Sequence, residues 1–202
     1  MRHALPVLMA AVSLFVLASC RGTEKALPES ETVAVADSEQ EEAAGPLWRE
    51  ILNEDLPLLG HRNWIVIADA AFPLQISPGM DVIVSGEDHF AVLDEVLKAV
   101  QASGHVRPKV YLDKELDFVP EALAPGIDTA RQRIKERLAG LEVKPVLHEE
   151  LIARMDQIAK TFRILMIKTN LTVPYTTVFL DLDCGYWSPE SEAKMRQAMN
   201  GK

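Results

Sequence analysis

The sequence predicts an α/β fold of three layers, a mainly parallel sheet with helices on both faces. Three observations lead there. Apolar runs of strand length recur along the chain, amphipathic stretches of helix length alternate with them, and Ile65 to Ala68 is apolar at every position. A strand covered on both faces needs that unbroken run, and strands separated by helices favour parallel neighbours.

Taken in order, a helix is expected over Leu47–Leu59 and a strand over Trp64–Ala68, with Gly60 and Pro73 punctuating its ends. A second strand follows over Asp81–Val84 and a helix over Asp88–Ser103. In that helix Phe90, Leu93, Val96, Leu97 and Val100 recur at three- and four-residue steps, which makes one apolar stripe, and Gly104 stops it. A strand over Lys109–Leu112, helices over Asp128–Ala139 and Glu149–Lys160, and strands over Phe162–Ile167 and Thr177–Asp181 complete the domain, which is expected over residues 46–187. Residues 188–202 read as a C-terminal tail.

The N-terminus has the composition of a targeting device. Arg2 gives a positive start, Leu5 to Leu17 an apolar run too short to span a bilayer, and Leu17-Ala18-Ser19-Cys20 a cleavage site of the bacterial lipoprotein kind. Residues 1–19 are therefore expected to be removed, leaving Cys20 lipidated and the protein anchored in the bacterial cell envelope, facing the periplasm or the exterior. Residues 20–45 form an acidic tether poor in large apolar side chains. With Cys20 acylated, Cys184 has no disulfide partner in the chain. Thirty acidic against 21 basic residues give a net charge of −9. Nucleic acid is thereby excluded as a partner, as is electrostatic docking on anionic lipid.

Ligand sites in parallel sheets gather at strand ends, where Asp69 stands, and a loop carrying His61 precedes the same strand. On the residues alone several readings stay open. His61 also suits a surface loop, Asp69 a helix cap, His148 a helix start beside Pro145, and Tyr175 a core position after Pro174. His89 and His105 read as exposed helix and loop residues. Phe179-Leu180-Asp181-Leu182-Asp183 carries the Asp-x-Asp of haloacid-dehalogenase-like phosphatases, but there the motif opens the domain and here the chain is nearly finished.

Leu59-Gly60-His61, the apolar strand, Asp69-Ala70 and Pro73 together resemble the near-N-terminal motif of the ribose pyranase and fucose mutarotase family (RbsD/FucU), with the family's eight-residue spacing of His61 and Asp69. His148-Glu149-Glu150-Leu151 is similar to a family segment opening the last helix. Val173-Pro174-Tyr175-Thr176-Thr177-Val178-Phe179-Leu180 is similar to the closing strand, with Thr177 where the family usually has Asn. The resemblance implies an isomerase, a pyranase or mutarotase interconverting cyclic forms of a free monosaccharide, ribose- or fucose-like, by histidine acid–base catalysis. It implies His61 as the catalytic residue, Asp69, His148, Tyr175 and Thr177 as sugar-binding residues, and a homo-oligomer, often decameric, with sites near subunit contacts. Proton transfer alone suffices for this chemistry, so neither a metal nor a cofactor is expected. The alternatives are a non-catalytic monosaccharide-binding lipoprotein that keeps the fold, and a structural oligomer with a vestigial pocket.

Overall fold

The structure, a computed structural model, describes residues 47–201. The expected signal peptide, the lipidated Cys20 and the tether lie outside the described residues. The chain runs α1 (Leu47–Asp55), β1 (Trp64–Ala68), β2 (Met80–Val84), α2 (His89–Ser103), β3 (Val106–Asp113), α3 (Ile127–Arg137), β4 (Val143–Val146), α4 (His148–Ile158), β5 (Ile164–Lys168), β6 (Val178–Cys184) and α5 (Pro189–Asn200).

Six strands form one sheet in the order β2-β5-β1-β6-β3-β4. β1 pairs in parallel with β5, β5 with β2, and β3 with β4, while β6 lies antiparallel between β1 and β3. Five strands thus run one way and β6 alone runs the other. No helix stands between β5 and β6, so the helix–strand alternation that favours parallel strands is interrupted there.

β1 sorts its side chains onto two faces by the period-two rule of a strand. Ile65 and Ile67 join Trp48, Leu93, Val96 and Ile134 in a core under α1, α2 and α3. Trp64, Val66 and Ala68 join Leu151, Met155 and Ala159 in a second core under α4. Ile65 through Ala68 are all completely buried, which is why this segment has no polar position. The three expected layers are therefore present, and the sheet is mainly parallel as expected, with β6 its antiparallel member.

Both ends of α2 have a physical cause. Asp88 caps α2, its Oδ1 accepting from the N–H groups of Phe90 and Ala91 at 3.0 Å, and Gly104 ends the helix at φ 67°, a left-handed conformation that glycine adopts without strain. β4 and α5 were not expected as elements. β4 is an edge strand, mostly exposed and containing Pro145, and α5 buries none of its residues, so neither carries an apolar pattern that sequence reading detects.

Candidate functional site

The strand directions bring the carboxyl ends of β1 to β5 and the start of β6 to one edge of the sheet. Asp69 follows β1, Asp113 ends β3, His148 opens α4 directly after β4, Thr169 follows β5, His89 opens α2 after β2, and Tyr175 and Thr177 precede β6. Four of the five residues expected at the site, Asp69, His148, Tyr175 and Thr177, are thus gathered on this edge.

Asp69 is largely buried and its carboxylate is held by two donors, the Ala71 N–H on Oδ1 at 2.9 Å and the Thr177 hydroxyl on Oδ2 at 2.9 Å. Thr177 has no solvent exposure, and its hydroxyl also accepts from the Asp69 N–H at 3.2 Å. The threonine standing where an Asn was expected is therefore turned inward, onto the carboxylate.

His148 is fixed from several sides. Its backbone N–H donates to the Glu115 carboxylate at 3.1 and 3.2 Å, which caps α4 where Leu147 offers no side-chain acceptor. Its ring meets Phe72 and Tyr175 edge to face, with centroids 5.9 and 5.5 Å apart. Nδ1 lies 3.1 Å from Oδ1 of Asp113, whose side chain has no exposure. Burial drives the Asp113 carboxyl above the usual carboxylate range; His148 draws it back, and the nearby Glu115 and Asp69 charges push it further up. Tyr175 holds a left-handed backbone at φ 59°, an uncommon conformation for an aromatic residue, and this turns the chain at Pro174. An open cleft of about 580 Å³ begins at Glu115, Leu147 and Tyr175, within the volume range of small-molecule sites.

His89, read from the sequence as an exposed helix residue, is completely buried. Its Nδ1 lies 3.0 Å from the Thr169 hydroxyl, which donates to the Ala68 carbonyl at 2.9 Å. Burial lowers its pKa to about 4, with the Asp69 charge opposing the shift, so the ring is neutral near pH 7. The signal was present in the sequence, because His89 precedes Val92, Leu93, Val96 and Val100 at helical spacing on the buried stripe. Asp113 was also missed, although Val110-Tyr111-Leu112-Asp113 repeats the pattern of an apolar strand ending in a carboxylate. His105 is half-buried rather than exposed, its Nε2 lying 2.9 Å from the Leu59 carbonyl.

His61 is not on this edge. Gly60 to Asn63 form a tight turn, with the Asn63 N–H on the Gly60 carbonyl at 3.0 Å and Arg62 at φ 77°. The Arg62 N–H donates to the Leu182 carbonyl at 2.9 Å, which ties the turn to β6. His61 is consequently held, exposed, at the amino end of β1, and the strand between it and Asp69 spans on the order of 16 Å. It lines a second cleft of about 690 Å³ with Arg107, Asp183, Cys184 and α5. Asp183 there is bridged by Arg107 at 2.9 Å and Lys109 at 3.0 Å, which occupies the carboxylate that the phosphatase reading needs.

Fold and site define an α/β domain with two buried carboxylates and two histidines at the carboxyl edge of its sheet. The chain belongs to the RbsD / FucU transport protein family, which matches residues 44–184. Among solved structures, the Bacillus subtilis RbsD complexed with D-ribose is similar at 20% identity and TM-score 0.47, over 66% of this chain and 91% of that one. FucU from Bifidobacterium longum is similar at 20% identity and TM-score 0.44, over 68% and 94%. The fucose mutarotase of Streptococcus pneumoniae in complex with L-fucose is similar at 20% identity and TM-score 0.44, over 68% and 91%. No curated protein matches the chain.

Proposed function

We propose that the protein interconverts cyclic forms of a free, ribose- or fucose-like monosaccharide, pyranose with furanose or one anomer with the other. The observation that carries this reading is the convergence of Asp69, His148, Tyr175 and Thr177, from segments far apart in sequence, on one edge of a family member's sheet. The reaction passes through the open-chain aldehyde. A base takes the proton of the anomeric hydroxyl, the bond from the anomeric carbon to the ring oxygen breaks, and an acid protonates that oxygen; closure reverses the steps. Histidine suits both roles because it gives and recovers a proton near neutral pH.

In this reading Asp69 accepts from sugar hydroxyls, Tyr175 packs on the sugar, and Thr177 sets the Asp69 carboxylate. His61 acts as the acid–base residue of a neighbouring copy's site, since the turn at Gly60–Asn63 holds it away from its own chain's Asp69. A homo-oligomer follows, the amino edge of one copy against the carboxyl edge of the next. The exposed apolar side chains of Phe118, Leu123 and Leu147 along the first cleft suit such a contact. Acylation of Cys20 would place this assembly at the bacterial cell envelope.

Anomer exchange measured by NMR on a panel of free sugars tests the proposal. Acceleration over the buffer rate for at least one aldose is the expected result. Saturable binding without acceleration would instead establish the sugar-binding alternative, and neither effect on any sugar would overturn both.

A further inference from the structure

We propose that Asp113 is a positioning residue for proton transfer at His148, holding the imidazole with its proton on Nδ1 so that Nε2 faces the sugar as a base. The proposal rests on the reading of the site given above. His148 opens α4, and Glu115 already satisfies the backbone N–H there, so Asp113 is not needed as a helix cap. Its Oδ1 instead meets the ring nitrogen at 3.1 Å.

The chemistry of the pair fixes the direction of that hydrogen bond. An ionised carboxylate only accepts, so Nδ1 must be the donor. Burial raises the Asp113 carboxyl above the usual carboxylate range, and the His148 ring at 3.1 Å favours its ionised form. Nε2 makes no hydrogen bond to protein among the described residues and is not closed off from solvent. The edge-to-face contacts with Phe72 and Tyr175 hold the ring plane.

A second observation points the same way. Oδ2 of Asp113 is buried and has no hydrogen-bond partner among the described residues. Burying a carboxylate with one oxygen unsatisfied destabilises a fold, and such groups concentrate where charge serves chemistry. Here the charge serves the imidazolium. When Nε2 takes the proton of the anomeric hydroxyl and the ring carbon–oxygen bond breaks, its electron pair moves to the ring oxygen, which the acid, His61 of the neighbouring copy, protonates. His148 is then cationic beside Asp113, and ring closure returns both protons.

Imidazole nitrogen NMR on the full chain reads the tautomer directly. The expected result is His148 with Nδ1 protonated and Nε2 bare; a proton on Nε2 of the neutral ring would overturn the proposal. Asp113→Asn removes the charge and frees the tautomer, so kcat for sugar exchange should fall roughly 10–100-fold, less than loss of the base itself, with KM within about twofold. An unchanged kcat, or a change confined to KM, would also overturn it. A native protein that fails to accelerate exchange would sink the proposed function and this role with it, whereas accelerated exchange with the neutral-ring proton on Nε2 would sink this role alone. The tautomer also decides if the variant does not fold.

Discussion

Thr177 holds Asp69 from two directions: its hydroxyl accepts from the Asp69 N–H at 3.2 Å and donates to Oδ2 at 2.9 Å. Both residues are buried, Asp69 just after β1 and Thr177 just before its antiparallel neighbour β6, so the pair couples sheet register to the orientation of the carboxylate. An Asn at this position would have more donors to offer a ligand. Threonine gives rigidity instead.

Thr177→Val preserves the shape and removes the hydroxyl, leaving a buried carboxylate oxygen short of a donor. A stability loss of about 1–3 kcal/mol is expected from urea denaturation, together with a raised KM for sugar. Thr177→Ser should recover most of both. Native stability and KM in the valine variant would show that the hydroxyl does not set the carboxylate.

His61→Ala should bring exchange near the buffer rate with an unchanged melting temperature, because an exposed turn residue supports little core. Asp69→Asn should be inactive as well. Assembled together from equal amounts, the two inactive chains should regain about a quarter of native activity, the fraction of sites that receive both intact residues from different copies. No recovery from a mixture shown to exchange subunits would place His61 and Asp69 in separate roles.

Acid should destabilise the fold through His89. Its folded pKa is depressed to about 4 while the unfolded chain titrates near the ordinary 6.5, so the unfolded state binds more protons between these values. The destabilisation is absent above pH 6.5, grows as pH falls, and levels off below pH 4 at roughly 3 kcal/mol. Comparing native protein with His89→Leu by urea denaturation at each pH isolates this contribution from the carboxyls, Asp113 among them, that titrate in the same range. Thr169 keeps its bond to the Ala68 carbonyl in the variant. Equal acid sensitivity of the two proteins would show that His89 is not the source.

Lipidation is checked at the N-terminus. Mass spectrometry of the processed protein should find acyl mass on Cys20, and Cys20→Ser should release the protein in soluble form. A mature chain starting elsewhere, without added mass, would refute the anchor.

Much was determined by the sequence alone, and for a local reason. An inner strand must be apolar throughout, so Trp64–Ala68 announced itself, and a carboxylate just past such a run marks a strand end, so Asp69 did too. The apolar stripe and the Gly104 stop delimited α2 in the same local way. Asp113 was legible by the rule that found Asp69 and was passed over. β4 and α5 were not legible, because an exposed edge strand and a helix without buried residues have no apolar period to read. Only the tertiary structure decided the rest. The direction of β6 depends on which neighbours it joins across the sheet, and strand directions determine which loops share an edge. That arrangement brought His148 to Asp113 and Thr177 to Asp69, buried His89 behind them, and left His61 at the far end of β1. Contacts between distant segments are set by packing and hydrogen-bond pairing across the whole sheet, and no single stretch of sequence carries that information.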